Sequence, residues 1–505
     1  MPDTAAPAGA QTAEQSESGL IQIRREKSAR LKQAGASLYP VQNELTAGRQ
    51  SSNILREKCT GIAEGAESDE SYRFCGRITT RREMGKAAFA HLQDIDGQFQ
   101  IYVRSDRVGP DAFKHFSDDI DIGDIIACEG KLFLTKTKEP TLKVSKLALL
   151  SKSGRPLPEK WHGLRDVEIR ASQRELDLIS NRSSKDIFIL RSRMIQILRD
   201  VLHARSYLEV ETPMMQVVPG GAVAKPFVTH HHALDQDLYL RVAPELYLKR
   251  CLVGGLEKVF EIGRVFRNEG MDTMHNPEFT ILEAYEAYGN MGSMMDLTEH
   301  LIRQTAQRVL AEKIPGAADL SWADQPFARK SIPELFKEFV GEKESLLVEQ
   351  EDWEGLARMH PGTDQTLTHK VFDHLFDQKI AAHMQSPTFA TDFPATFSPL
   401  AKRKSAHIAD RFELYINGEE IANAYSELND PDEQRANLQA YRTSRAQKSD
   451  TDEGMGFDEA FITALEYGMP PAGGLGIGID RLVMLFTGQK SIRDVLLFPT
   501  MRKES

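Results

Sequence analysis

Arginine, glutamate and aromatic residues recur at strand spacing in the second half of the chain, in a pattern suited to phosphate and ammonium chemistry. The run Lys258 to Glu269 alternates. A period of two sets Glu261, Arg267 and Glu269 on one face of a strand, with Phe260, Ile262 and Phe266 on the other. The next run, Glu278 to Tyr288, lines up Phe279, Ile281, Glu283 and Tyr285 on one face. An isolated Arg-Glu pair would read as salt-bridged sheet surface. A guanidinium, carboxylates, a phenol and an aromatic ring on adjacent strands point instead to a site that takes an oxyanion. Further on, Asn417-Gly418 is a favoured two-residue turn within the hairpin Ile408 to Leu428. It sets Glu420 opposite Tyr415, with Glu413 diagonal on the same face. Two such carboxylates suit Mg²⁺ shared with substrate phosphates, and equally suit a glutamate-rich solvent face.

Other chemistries are excluded. There is no G-x-x-x-x-G-K-[ST], and the glycines of Gly473-Gly-Leu-Gly-Ile-Gly-Ile-Asp-Arg481 lack dinucleotide-site spacing. Leu150-Ser-Lys-Ser153 is half of a class I synthetase signature without its partner, a chance match. His230-His231-His232 alternates between the two faces of an extended strand, so the three do not converge on one ion. Cys59, Cys75, Cys128 and Cys251 are far apart and form no C-x-x-C, which reads as four small core residues.

The elements that must carry these groups follow from composition and pattern. The chain has 505 residues, 27% charged and 41% hydrophobic, enough for two to four domains. No apolar run of membrane-spanning length and no apolar N-terminal signal is seen, so a cytoplasmic protein with no membrane partner is expected. The net charge of -11 argues against a uniform nucleic-acid coat. Residues 21–58 and 129–160 nevertheless each hold eight basic and three acidic residues, a local +5. Residues 1–19 are expected to be a disordered tail, with a basic helix from Leu20 to about Leu38. Five short β-rich runs between Tyr72 and Leu150 fit a small barrel, and a Gly/Pro-bearing linker spans 151–166. Residues 167–505 form a larger domain. In it a helix through Met194, Leu198, Val201 and Leu202 runs into an extended segment ending at Pro213, and 291–385 is a mostly helical insertion.

Phe266-Arg-Asn-Glu269 followed by His275-Asn-Pro-Glu-Phe279 resembles motif 2 of the class II aminoacyl-tRNA synthetases. Gly473 to Leu485 resembles their motif 3, and the segment ending at Pro213 their motif 1. Val242-Ala-Pro-Glu-Leu-Tyr-Leu-Lys-Arg250 and Glu420-Ile-Ala-Asn-Ala-Tyr-Ser-Glu-Leu-Asn-Asp430 narrow the resemblance to lysyl-tRNA synthetases of the bacterial type. It covers nearly everything from Leu20 to Arg502.

That resemblance implies an α+β chain: an N-terminal OB-fold barrel that reads the anticodon, and a C-terminal antiparallel sheet flanked by helices. It implies activation of L-lysine by ATP, transfer to tRNA(Lys), Mg²⁺ as metal and a homodimer. Arg267 and Arg481 are the implied catalytic residues, with Glu269, His275, Asn276 and Phe279 also at ATP. Gly221 and Glu245 are implied at the α-amino group, and Glu283, Tyr285, Asn423, Tyr425 and Glu427 around the side chain, Glu427 pairing with the ε-ammonium. Glu413 and Glu420 are implied metal ligands, and Phe89 and Gln100 anticodon contacts.

Four positions depart from the family pattern. Met274 stands for an arginine that touches the γ-phosphate, Lys225 for another arginine, and Ala171 and Glu175 for tyrosines. Glu420 and Asn423 differ by an odd number of residues yet are both implied in the site, so a bulge between them is expected. The competing readings are an aspartyl- or asparaginyl-tRNA synthetase, whose substrate would need a cationic pocket; a lysine ligase that modifies protein, expected to lack the barrel; and a noncatalytic OB-fold RNA binder, which has no use for Arg267, Glu269, Glu413, Glu420 and Arg481 together.

Overall fold

Alternation in the N-terminal β-rich region closes into a barrel. In the computed structural model, which describes residues 8–158, 164, 166–222, 224–361, 370–446 and 457–502, the chain divides into two compact units, Met1–Arg165 and Asp166–Ser505. In the first, β1 (Glu67–Met84), β2 (Ala87–Gln93), β3 (Gln98–Arg104), β4 (Ile125–Leu134) and β5 (Pro140–Ser151) are ordered β1-β2-β3-β5-β4. Every second residue of β2 and β3 is buried, and Leu92, Phe99, Ile101 and Val103 fill the interior with Phe74 and Val144. Phe116, on the helix Pro110–Asp118 between β3 and β4, adds to this core.

The N-terminal helix spans Ala8–Gln33, so the expected tail is helical from Ala8 onward. Ala, Gln and Glu dominate its first turns, and all propagate a helix well once the basic segment anchors it. That anchor consumes the basic residues. Arg24 donates to the carbonyls of Ile122, Ser153 and Arg155, Lys27 meets Asp121 at 2.7 Å, and Arg30 meets Asp119. Lys152 is buried against Asp121 and Asp124. Several basic residues of the two +5 stretches therefore hold the unit together.

The second unit is built on eight strands: β6 (Leu208–Glu209), β10 (Lys258–Phe266), β11 (Glu278–Ala287), β12 (Ala328–Ser331), β13 (Thr388–Thr391), β14 (Arg411–Ile416), β15 (Glu419–Ser426) and β16 (Ala472–Gly478). Their order is β12-β13-β14-β15-β16-β11-β10-β6, antiparallel except for the edge pairs β12/β13 and β10/β6. A separate small sheet joins β7 (Met215–Gln216), β8 (Val228–His231) and β9 (Gln236–Leu240). The helices Arg182–Ala204, Met291–Ala311 and Ile479–Thr487 cover one face of the large sheet. Met194, Leu198, Leu301 and Leu482 pack there on Leu282, Ala424 and Ile477. The helices Glu245–Val253 and Glu459–Glu466 cover part of the other face, packing on Val259, Tyr285 and Ala287, and leave the rest of it open.

Within 291–385 the described residues are mostly helical, with their own core of Leu335, Phe336, Leu356, Phe372 and Phe376. The strand β12 is the exception, and Met291–Ala311 belongs to the main core instead. Residues 362–369 lie outside the described residues. The hairpin turn forms as its dipeptide requires, with φ of 54° at Asn417 and 79° at Gly418. The expected bulge is present: Tyr415 pairs with Glu420 but Leu414 pairs with Ala422, leaving Ile421 unopposed.

Candidate active site and nucleic-acid face

The open face of the sheet holds a cleft of about 530 Å³. Its floor is β16, where Gly474, Gly476 and Gly478 present no side chains, and its walls come from β11, β15 and the loop after β10. Phe279, Ile281, Glu283 and Tyr285 all line it while Thr280, Leu282 and Ala284 are buried on the far side, as strand alternation dictates. On β15 the bulge lets Glu420, Asn423 and Tyr425 share the cleft.

One end is acidic. The helix Glu245–Val253 projects Glu245 into the cleft, where its Oε1 accepts from the Tyr425 hydroxyl at 2.5 Å and the Lys249 ammonium at 2.7 Å. Gly221, with φ of 89°, lets the backbone approach Glu245: a side chain there would fall 3.0 Å from the Glu245 Cβ. Glu283 accepts from the Tyr285 hydroxyl at 3.0 Å. Burial, reinforced by the charge of Glu245, pushes the Glu283 carboxyl up to about 8. Glu427 is fully buried and ion-paired with Lys249, and its Oε1 lies over Gly474 beside the Tyr285 ring, on the face of β16 that floors the cleft. Burial raises its pKa, with Lys249 opposing.

The other end suits a polyphosphate. Strand β10 ends at Phe266, so Arg267 and Glu269 sit in the following loop and not on the strand face assigned from alternation. That loop is fixed by backbone bonds from Arg267 to Pro277 and from Asn268 to Lys225. Glu261, grouped with them by alternation, turns instead to Arg241 and the Thr212 hydroxyl. The Arg267 guanidinium lies 5.1 Å from the Phe279 ring, and its buried Nε has no hydrogen-bond partner among the described residues. A buried guanidinium donor without an acceptor is a place for an oxyanion.

Asp272 accepts from the amides of Met274 and His275, at 2.7 and 2.8 Å, and contacts the His275 ring. The Asn276 side chain is engaged at both ends, by Glu278 and Thr500, so it supports the loop. Arg481 enters from the helix Ile479–Thr487, and its neighbour Asp480 clamps the Thr280 amide at 2.6 Å and Arg191 at 2.6 Å. Ala171 and Glu175 lie on two short helices and do not line the cleft.

Of the two expected metal ligands, Glu420 lines the cleft and Glu413 does not. Glu413 is held by Arg411 and by the Tyr415 hydroxyl at 2.7 Å. Burial pushes it up to about 7, with Glu420 adding to that push against Arg411. A carboxylate that disfavours the charge of a buried neighbour fits a divalent cation shared with it. Among the described residues no group of three or more His, Cys, Asp or Glu side chains is placed to hold a metal. The three histidines are exposed, with His230 bound to Asp237 and His231 to the Leu234 amide.

On the barrel, Phe89 stacks on Tyr102 with ring centroids 4.4 Å apart, and Tyr102 meets Phe133 at 6.0 Å. Lys143 lies 5.8 Å from the Phe133 ring, and Gln100 accepts from the Thr141 hydroxyl at 2.8 Å. Stacked rings beside a cation on the strand 2–3 face of an OB barrel suit unpaired bases. Sequence reading missed Tyr102 and Phe133, although their alternation with the buried Ile101, Val103 and Leu132 marks both as outward-facing. It also missed Lys249, Arg411 and Asp480.

A family model described as "tRNA synthetases class II (D, K and N)" matches residues 166–502, and one for an OB-fold nucleic acid binding domain matches 72–150. The lysine–tRNA ligase of Moorella thermoacetica is 46% identical over 97% of this chain and 99% of its own. That of Pelotomaculum thermopropionicum is 48% identical over 96% and 95%. That of Staphylococcus aureus strain N315 is 50% identical over 87% and 89%. With the OB barrel, the glycine-floored antiparallel sheet and this similarity along almost its whole length, the chain belongs to the class II tRNA synthetases and, within them, to the lysine–tRNA ligase family.

Proposed function

We propose that the protein activates L-lysine with ATP to lysyl-adenylate and transfers the lysyl group to the 3′ end of tRNA(Lys). One observation carries the amino-acid assignment. Three buried carboxylates, Glu245, Glu283 and Glu427, cluster at one end of the cleft, and Lys249, which pairs with Glu245 and Glu427, does not pair with Glu283, so the cluster has room for further positive charge. Lysine brings two ammonium groups. An aspartate side chain would add another anion to this acidic cluster, which argues against the aspartyl reading, and asparagine would bring no cation to its far end.

In this reading Glu245 and Gly221 take the α-ammonium, while Glu283, Tyr285, Asn423 and Tyr425 enclose the side chain and Glu427 is the partner of the ε-ammonium. Arg267 bridges the substrate carboxylate and the α-phosphate. Phe279 stacks on adenine, Arg481 covers it and reaches the γ-phosphate, and Glu269, His275 and Asn276 support the nucleotide. Glu413 and Glu420 are the residues that would hold Mg²⁺, which would supply neutralisation of phosphate charge. The lysine carboxylate attacks the α-phosphate, pyrophosphate leaves, and a tRNA hydroxyl then attacks the adenylate carbonyl and releases AMP. No side chain acts as nucleophile; positioning and charge do the work.

Phe89 and Gln100 read the anticodon, aided by Tyr102 and Phe133. A homodimer is supported by the exposed Met214, Met215, Val217 and Val228 on and beside the small sheet. No helix among the described residues is long and apolar enough to cross a membrane. ATP–pyrophosphate exchange measured with each of the twenty amino acids tests the assignment: exchange selective for lysine is expected, and selectivity for aspartate or asparagine overturns it.

A further inference from the structure

We propose that Lys249 is a specificity-determining positioning residue, the one ammonium that ties the group receiving the substrate's α-amino end to the wall around its far end. This rests on the lysine-pocket reading above. Lys249 lies one helical turn beyond Glu245, a spacing that on a solvent face is a weak surface pair. Here it is fully buried. Its Nζ meets Glu245 Oε1 at 2.7 Å and also Glu427 Oε2, and it lies 5.4 Å from the Tyr425 ring and 5.9 Å from the Phe461 ring.

The arrangement has two effects. Glu245 Oε1 is saturated by Lys249 and Tyr425, so Oε2 is the oxygen left for a ligand. Glu427 is pinned through Oε2, with Oε1 turned towards Gly474 and Tyr285 on the cleft wall. Two carboxylates that would repel one another are thereby held at a fixed separation by one nitrogen. A substrate chain one methylene too short then cannot satisfy both ends, and a missing methylene is discriminated by about 10- to 200-fold in a well-formed pocket. A buried triad of this kind contributes little to stability compared with apolar packing, so its worth is in placement.

Exchange kinetics with lysine and with ornithine, its homologue one methylene shorter, test this in the full-length enzyme. Lys249→Met keeps volume and removes charge, and Lys249→Gln keeps a donor. Both are expected to lower the lysine-to-ornithine ratio of kcat/KM by tenfold or more, mainly through KM for lysine. Phe461→Leu, which takes a ring from Lys249 without altering a charge, is expected to lower the ratio about threefold. Thermal melting identifies which variants fold, and Phe461→Leu carries the test if both Lys249 variants fail to. A ratio within twofold of wild type in every variant that folds overturns the proposal, as does equal loss with both amino acids, which would mark Lys249 as packing alone. Wild-type exchange selective for an amino acid other than lysine would instead overturn the pocket reading itself.

Discussion

Arg481 and Glu420 bind each other across the polyphosphate end of the cleft: the guanidinium donates to the Glu420 carbonyl at 3.0 Å and to its carboxylate at 3.2 Å. The arginine proposed for ATP is thus parked on a proposed metal ligand. The nucleotide must compete for the first, and the metal for the second.

Glu420→Gln should therefore have opposite effects in two buffers. A charged hydrogen bond contributes about 1.5 to 3 kcal/mol, so freeing Arg481 should tighten ATP binding in EDTA by roughly tenfold. With Mg²⁺ present, loss of a ligand should raise the metal concentration for half-maximal exchange by about tenfold. Calorimetric ATP titrations in the two buffers decide it, and a shift of the same sign in both would break the coupling.

Glu283 sets the pH response of lysine capture. Burial and the charge of Glu245 raise its carboxyl to about 8, so at neutral pH the empty pocket is mostly protonated there. An incoming ammonium needs the carboxylate and must expel that proton. The kcat/KM for lysine should climb as pH rises, by up to tenfold per unit, and level off above about 8. Glu283→Gln should flatten the profile and cost about 2 to 5 kcal/mol, at least a 30-fold drop. A wild-type profile already flat from about pH 6.5 to about 9 would refute the assignment.

Phe89→Ala separates the barrel from the chemistry. It removes one ring of the stack with Tyr102, so tRNA charging should weaken by about 1 to 3 kcal/mol while lysine-dependent exchange is unchanged. Equal damage to both reactions would mean that the barrel does more than read bases.

Met274 lines the cleft and packs partly on the main core, so an arginine there starts from the right place. Met274→Arg should lower KM for ATP about tenfold by restoring a charged donor to the γ-phosphate. The alternative is that Lys225, whose carbonyl already holds the Asn268 amide, supplies that charge. An unchanged KM in Met274→Arg with a large rise in Lys225→Ala would favour it.

What was legible in the sequence was local. The alternation that places Phe279, Ile281, Glu283 and Tyr285 on one face is a property of any extended chain, and Asn417-Gly418 determines its own turn. The bulge at Ile421 followed from parity once the family resemblance put both Glu420 and Asn423 in the site. The missed or misplaced groups depend on approach between distant segments. Lys249 is an ordinary helix residue until β15 brings Glu427 against it, and Arg24, Lys27 and Arg30 look like free cations until the barrel's carbonyls and carboxylates meet them. Arg267 and Glu269 were placed on a strand because alternation continues past Phe266, whereas the hydrogen-bond ladder does not.

The bare floor of β16 makes the cleft's room a matter of subtraction. A methyl group on Gly474 would collide first with the Glu427 carboxylate and then with the Tyr285 ring, 2.5 Å away, but one on Gly476 would meet nothing nearer than 3.6 Å. The second change is thus tolerated by the fold and charged wholly to the ligand. For anyone reshaping the enzyme to accept bulkier amino acids, the glycines of this strand have nothing left to trim: every substitution at them narrows the menu, and widening it must begin at the side chains of the opposite walls.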